Sequence, residues 1–150
     1  MARVTERQIT IDAPVEKVFS YLADFSRHGE WAMHGLEVGQ MSQGPVAVGT
    51  TFHSRGRMLG LNINNENVVT EFVVNRHVAF ESVSPGGRFR NAFFLRGEGD
   101  RTLLVKQVEV VRPRALLWPL VRLAFPLAAR RRLQQDLQRI KATLEGEATA

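Results

Sequence analysis

The sequence predicts an α+β fold in which a curved antiparallel sheet of about seven strands wraps round a long C-terminal helix, with two short helices after the first strand. Three patterns predict this fold: an alternating segment followed by an amphipathic helix, short alternating segments between residues 36 and 111, and helical spacing of leucines after Pro113. The chain has 150 residues, of which 44% are hydrophobic. This length and composition indicate one domain, assigned to residues 1–150.

The first strand and the two short helices are predicted from local signals. Residues 8–12 alternate apolar and polar side chains, as in a strand with one buried face. Pro14 suits the first turn of the following helix. A second short helix is expected to begin at Asp24 or Ser26, both good N-caps, and to continue to Trp31. The apolar stripe of the first helix consists of Val15, Val18, Phe19 and Leu22.

Residues 36–111 predict the remaining strands, because turn residues separate segments that are too short for helices. Hairpin links between such segments give an antiparallel sheet. In residues 66–74 the even-numbered and the odd-numbered positions both carry apolar side chains. Alternation therefore does not show which of the two sets forms the inner face. In residues 102–111, Lys106 and Glu109 both face water only if the strand has a bulge near Gln107. Elsewhere, charged residues mark the outer face, and the predicted inner face consists of Phe52, Ser54, Gly56, Met58, Val78, Phe80, Ser82, Phe89, Asn91, Phe93 and Leu95.

The last segment, from Pro113 to about Leu144, predicts a long helix. We expect it to begin near Pro119 and to kink at Pro126, because an internal proline removes a backbone donor. The apolar run at 115–129 contains Arg122 and is too short for a good transmembrane span. The stripe expected to face the sheet consists of Leu116, Leu120, Leu123 and Leu127, continued by Leu133, Leu137, Ile140 and Leu144.

Composition and spacing exclude several classes of function. Because the chain has no cysteine, it has no disulfide, thiolate zinc site or cysteine nucleophile. The net charge of +5 comes from residues 112–150, but the short cluster Arg130–Arg132 lacks the pattern of a nucleic-acid site. The four histidines lie on separate elements and no glycine-rich phosphate loop follows a strand, so we predict no metal and no cofactor. Residues 1–12 lack a signal-peptide pattern, which predicts a cytoplasmic location.

A helix that crosses a strongly curved sheet cannot fill the whole concavity with its own side chains. We therefore predict an internal, mainly apolar cavity between the sheet and the C-terminal helix, and place the function of the protein there. The predicted ligand-binding residues come from the inner face of the strands, from the end of the second helix and from the last helix. They are Trp31, Phe52, Met58, Phe72, Phe80, Phe89, Asn91, Phe93, Leu123 and Leu127.

The segment ITIDAPVEKVFSYLADFSRHGEW at Ile9–Trp31 resembles the opening of the START-like, polyketide cyclase/dehydrase and lipid transport superfamily, also called SRPBCC. Similar pieces follow at Val48–Phe52, Val69–Phe80 and Gly99–Thr102, so the resemblance spans nearly the whole chain. It implies a helix-grip fold with a deep ligand cavity. Members of this superfamily bind lipids, sterols, polyketides, hormones or isoprenoids, and a minority are cyclases, aromatases or hydrolytic enzymes. The expected function is thus binding or transport of a small hydrophobic ligand such as a lipid, isoprenoid or polyketide.

Two other functions stay open. A polyketide cyclase or aromatase acting in the same cavity needs a positioned acid or base. The candidates are His34 in a loop, Asn91 as a polar group that fixes a ligand carbonyl, and Glu71 if it faces inward, and none of them is assigned as catalytic. The second alternative is a membrane-surface or partner-binding module, in which the apolar segment at 116–127 and Arg130–Arg132 make transient contact with anionic lipid.

Overall fold

Ten helices and strands make up the part of the fold that the structure describes. The structure is a computed structural model that describes residues 3–32, 36–39, 41–58, 60–113, 116 and 118–149. The elements are β1 (Arg3–Ile11), α1 (Val15–Ala23), a 3₁₀ helix (Phe25–Glu30), β2 (Glu37–Gly39), β3 (Thr51–Met58), β4 (Leu61–Val73), β5 (His77–Ser84), β6 (Gly87–Glu98), β7 (Arg101–Pro113) and α2 (Trp118–Thr149).

The seven strands form one antiparallel sheet in the order β1-β7-β6-β5-β4-β3-β2. Consecutive strands from β2 to β7 pair as neighbours, whereas β1 pairs with β7, from Arg3 opposite Val110 to Ile11 opposite Thr102. Helix α2 packs against β1 and β7. The predicted fold class is therefore confirmed: a curved antiparallel sheet holds a long C-terminal helix, with short helices after the first strand, in the helix-grip arrangement.

The two short helices fix one end of the core. Helix α1 begins one residue after Pro14, which occupies the N-cap position rather than the predicted first turn and forms no side-chain cap. The 3₁₀ helix is capped by Asp24, whose carboxylate accepts a hydrogen bond from the Ser26 N–H at 3.2 Å, as its sequence predicts. Phe25 is fully buried and brings this helix onto the sheet.

A bulge in β4 explains why its inner face could not be assigned from alternation. The pairing of β4 with β5 shifts between Val69 and Glu71. Before this shift the odd-numbered Asn67 and Val69 are buried, and after it the even-numbered Phe72 is half-buried. The inner face thus changes from odd-numbered to even-numbered positions along the strand. Glu71 is exposed on the outer face, so the condition for a catalytic role, an inward orientation, is not met.

The predicted bulge near Gln107 is wrong. Strands β1 and β7 pair without interruption from Thr102 to Val110, and the irregularity in β7 lies farther along, opposite Arg88 and Phe89. Regular alternation therefore turns Lys106 inward, together with the buried side chains of Thr102, Leu104 and Val110. Glu109 faces outward. Lys106 and Glu109 therefore fit one regular strand because the lysine is buried, and no bulge between them is needed.

The expected single apolar stripe of α2 is only half correct. Helix α2 begins at Trp118, close to the predicted Pro119, and contains Pro126. The second half of the stripe is buried, but Leu116, Leu123 and Leu127 are 87%, 85% and 77% exposed. Leu133 lies six positions after Leu127, so these two side chains point about 120° apart round a regular helix and the two halves cannot face the same sheet. The buried half consists of Leu133, Leu137, Ile140 and Leu144.

Gly87, at the start of β6, requires the absence of a side chain. Its φ is +134°, and a Cβ there would lie 2.3 Å from the carbonyl oxygen of Arg112. We expect Gly87→Ala to destabilise the protein by at least about 1 kcal/mol, measured by urea unfolding. Gly86→Ala is the matched control, since the nearest atom to its Cβ would be 3.7 Å away. Equal stability of the two variants would contradict the expectation.

Candidate functional site

Aromatic side chains line the centre of the concave face of the sheet. We call Phe25, Trp31, Phe52, Phe80 and Phe93 the aromatic floor. Phe25 stacks on Phe52 with ring centres 4.5 Å apart, Phe52 meets Phe80 edge-on at 5.4 Å, and Trp31 meets Phe93 edge-on at 5.6 Å. All five side chains are buried. Four of these five, all except Phe25, are predicted ligand-binding residues. The structure thus brings Trp31, Phe52, Phe80 and Phe93 together in one cluster with Phe25 of the 3₁₀ helix.

One part of the inner face beyond the aromatic floor is only half-buried. Phe89 and Asn91 of β6 belong to this part, and the Phe89 ring stacks against Phe125 of α2 with ring centres 6.1 Å apart. Ser82 is the register partner of Phe89, and Val108 is that of Asn91, so these side chains are neighbours. We call this region the open end; it consists of the half-buried residues Asn65, Ser82, Phe89, Asn91, Val108 and Phe125.

A row of hydrogen-bonded polar side chains runs from the open end across four strands. The Asn91 amide donates to Ser82 Oγ at 3.4 Å, and the Ser82 hydroxyl donates to Asn67 Oδ1 at 2.6 Å. The Asn67 amide in turn donates to Ser54 Oγ at 3.0 Å and to the Phe52 carbonyl at 3.1 Å. Asn67 and Ser54 are buried, so the row satisfies groups that would otherwise be costly to bury. We call these four residues, Ser54, Asn67, Ser82 and Asn91, the polar row.

A buried ion pair joins the sheet to α2. Lys106 of β7 is the register partner of Phe93, and its Nζ lies 2.6 Å from Oδ2 of Asp136. The two side chains are 6% and 5% exposed. Burial lowers the pKa of the Lys106 ammonium, and the attraction of Asp136 opposes that shift. The ammonium also lies 4.5 Å from the centre of the Trp31 ring, within the range of a cation–π interaction.

Sequence reasoning missed this pair although both partners leave a signal. Lys106 occupies an inward position in a regular strand, and Asp136 lies next to Leu137 on the buried face of α2. A charge at a core position of one element therefore has an opposite charge at a core position of another. Such a coincidence is typical of a buried pair.

Two further buried groups adjoin the aromatic floor. His28 is 2% exposed, its Nε2 lies 3.0 Å from the Leu22 carbonyl, and its ring is 4.7 Å from that of Trp31. Burial lowers the pKa of His28 to about 4, which keeps the ring neutral at physiological pH.

The Trp31 indole N–H is buried without a hydrogen-bond partner in the described part of the chain. The Lys106 ammonium lies over the face of the same indole ring.

The other predicted site residues lie elsewhere. His34 and the Met58 side chain fall outside the described residues. Glu71 pairs on the outer face with His77 and with Arg90, and these hydrogen bonds lower the pKa of its carboxyl. Phe72 packs edge-on against Phe19 at 5.3 Å. It lines an open groove of about 440 Å³ together with Phe19, Ser20, Ala23, Asp24, Val46, Val74 and Asn75.

The expectation that Leu123 and Leu127 face the sheet is wrong, because both are largely exposed. Leu127 instead lines a second open groove, of about 490 Å³, between α2 and the edge strand β1. The other residues of this groove are polar or basic: Arg7, Arg130, Arg131, Gln134 and Gln135. The first half of α2 therefore presents leucines and arginines outward.

The described ranges contain no candidate metal site and no candidate membrane-spanning helix. In those ranges no three histidine, aspartate or glutamate side chains are placed so that they could hold a metal ion. No helix found there combines the length and apolar content needed to cross a bilayer.

Solved structures with the same fold support the architecture. The chain superposes on the Zhui aromatase/cyclase from Streptomyces sp. R1128 with a TM-score of 0.80 and 17% identity, over 97% of this chain and 94% of that one. A START superfamily protein from Mycobacterium smegmatis gives 0.75 and 15%, over 95% and 97%. A protein from Thermus thermophilus gives 0.75 and 14%, over 97% and 99%.

Comparison by sequence gives the family. A search of curated proteins found none that matches this sequence. The family model described as "Polyketide cyclase / dehydrase and lipid transport" matches residues 1–145, nearly the full length. With the helix-grip sheet, its long terminal helix and the resemblance of the opening segment, this match confirms the predicted superfamily. The chain belongs to the polyketide cyclase/dehydrase and lipid transport family.

Proposed function

We propose that the chain, as a single domain over residues 1–150, binds a small hydrophobic ligand that carries at least one oxygen, such as a lipid, isoprenoid or polyketide. The ligand lies at the open end, between the sheet and α2. The observation that carries the proposal is the half-buried, inward-facing pair Phe89 and Asn91, where an apolar surface meets the end of the polar row. Apolar sites with a few convergent polar groups are typical of ligand pockets.

The two residues of this pair have different roles. Phe89 and Phe125 stack on each other and are half-buried, and a hydrophobic ligand that packs against the remaining accessible surface of the two rings removes that surface from water. Asn91 holds one amide hydrogen bond to Ser82 and keeps further donor and acceptor capacity toward the open end. We infer that Phe89 supplies affinity and that Asn91 selects ligands with a hydroxyl or carbonyl group.

The aromatic floor has a supporting role in this proposal. Phe52, Phe80, Phe93 and Trp31 are buried against one another, so they fix the shape of the concave face beneath the ligand. The partnerless Trp31 N–H and the Lys106 ammonium provide donors for a ligand oxygen that reaches the floor. A buried donor such as the Trp31 N–H is costly to leave unpaired, which favours a ligand with an acceptor over a pure hydrocarbon.

Displacement of an environment-sensitive fluorescent dye by 2-naphthol and by naphthalene tests the proposal. Phe89→Ala should weaken both probes about fivefold, because it removes part of the apolar contact. Asn91→Leu should weaken 2-naphthol by up to about tenfold, the value of one hydrogen bond, and leave naphthalene unchanged. The two probes thus separate apolar contact from oxygen recognition.

Phe94→Ala is the matched control, since Phe94 lies on the same strand with its ring on the outer face, stacked on His77. It should leave both affinities unchanged. All variants are first checked for cooperative unfolding. If folded Phe89→Ala and Asn91→Leu proteins bind both probes as the parent does, the ligand does not occupy the open end.

The alternative function is a cyclase or aromatase that acts in the same concave face. The buried Lys106–Asp136 pair favours it, because an ammonium held over the Trp31 ring can donate to a carbonyl oxygen that gains negative charge. Binding without turnover of a poly-β-ketone thioester supports the carrier function. Catalysed appearance of an aromatic product, followed by its absorbance, supports the enzyme.

A further inference from the structure

Leucines in the first half of α2 and just before it point away from the sheet. Leu116, which precedes the helix, is 87% exposed, and Leu123 and Leu127 within it are 85% and 77% exposed, although leucine is usually among the more buried residue types. Leu123 and Leu127 share one face of the helix, and Leu127 lies about 120° from the face that packs on the sheet. The sheet therefore cannot account for these leucines.

Arginines accompany the leucines on the same surface. From Leu116 to Gln135 the sequence has four arginines and no acidic residue. Arg130 and Arg131 lie one turn beyond Leu127, and Arg7 of β1 joins them in the groove of about 490 Å³. These three guanidinium groups have no acidic partner within ion-pair distance among the described residues.

We propose that this surface, which we call the docking face, binds the surface of an anionic membrane. The docking face consists of Leu116, Leu123, Leu127, Arg130, Arg131 and Arg7. An interfacial helix buries its apolar side chains at the level of the acyl chains and keeps its basic side chains at the headgroups. The leucines and the unpaired arginines of the docking face supply both parts.

Charge favours a membrane over a second copy of the chain. Two docking faces brought together by two-fold symmetry would oppose three unpaired arginines with three others. No acidic residue occurs between Leu116 and Gln135 to balance them. An anionic lipid surface attracts each arginine instead. The proposal goes beyond ligand binding at the open end, since the docking face lies on another side of α2.

Sedimentation with vesicles tests the docking face. The full chain should bind vesicles of phosphatidylcholine mixed with phosphatidylserine, more strongly at low than at physiological salt, and bind pure phosphatidylcholine only weakly. Arg131→Gln should reduce partitioning about fivefold, the effect of one basic side chain near the surface. Leu123→Ser should reduce it about fivefold through lost apolar contact.

Matched controls lie on β3 and β4, which β5, β6 and β7 separate from β1 in the sheet. Arg57→Gln makes the same charge change on β3, and Leu61→Ser replaces a leucine that is 70% exposed on β4. Both should bind vesicles like the parent. Salt-independent binding, or equal losses in the control variants, would overturn the proposal. So would a dimer, seen by analytical ultracentrifugation, that Leu123→Ser dissociates while vesicle binding is absent. Dye displacement at the open end is measured on the same variants and should be unchanged.

Discussion

Asp136→Asn is expected to destabilise the protein by about 3–5 kcal/mol, because it leaves the Lys106 ammonium buried without a counter-charge. The 2.6 Å contact between Lys106 and Asp136 lies under the Trp31 ring, and both side chains are almost completely buried. Arg132, which is attracted to the same carboxylate, loses its neighbour as well. Urea unfolding followed by circular dichroism measures the loss.

The deficit of this variant should shrink as pH rises. Without the opposing charge of Asp136, burial lowers the pKa of Lys106 further. The folded state then gives up its proton at a lower pH than the unfolded state, so stability rises with pH in the window below about 10.4, the unfolded value. The double variant Lys106→Met/Asp136→Leu should recover stability to within about 1 kcal/mol of the parent, since a well-packed apolar pair replaces the charges. A loss below about 1 kcal/mol in Asp136→Asn would contradict the buried-pair interpretation.

Acidification should destabilise the protein through His28. Burial lowers the pKa of His28 to about 4, whereas the unfolded chain has the usual 6.5. Between these two values the unfolded state binds a proton that the folded state does not, so stability falls as pH falls. From about pH 7.5 to about pH 5 the expected loss is about 2 kcal/mol from this residue alone.

His28→Gln separates this effect from other titrations. Glutamine keeps an N–H donor that can reach the Leu22 carbonyl but does not titrate. The variant should lose most of the pH dependence in the same interval, whatever its stability at neutral pH. Urea unfolding at both pH values gives the comparison. The same pH-dependent loss in parent and variant would mean that His28 is not the buried neutral group.

Local signals in the sequence were sufficient for the first part of the fold. The stripe through Val18 and Leu22 and the Asp24 cap depend on neighbours within one or two helical turns, and both appear in the structure. Alternation likewise placed Phe52, Phe80, Phe93 and Asn91 correctly on the inner face, because β3, β5 and the middle of β6 are regular and bear charges on their outer face. In these three strands the period is uninterrupted and the charges mark the outer face, so sequence and sheet geometry agree.

The misassigned residues depend on tertiary contacts. Alternation alone does not show which way Lys106 faces, because burial of a lysine is costly unless a partner such as Asp136, thirty positions later, lies beside it. The α2 stripe was extended through Leu127 because leucine favours burial, although the six-residue step to Leu133 rotates the two halves apart. The Val69–Glu71 bulge leaves no signal in a single sequence beyond the competing alternations themselves.

The pairing of the first strand with the last sets the order of events during synthesis. Arg3 has its partner in Val110 and Ile11 in Thr102, so β1 leaves the ribosome about a hundred residues before β7 can join it. Contacts between residues so far apart in sequence form slowly. Until β1 pairs with β7, the backbone N–H and C=O groups along its edge have no partners in the sheet. The nascent chain can complete its sheet only after β7 has emerged, and a product terminated before Arg101 leaves β1 open to aggregation.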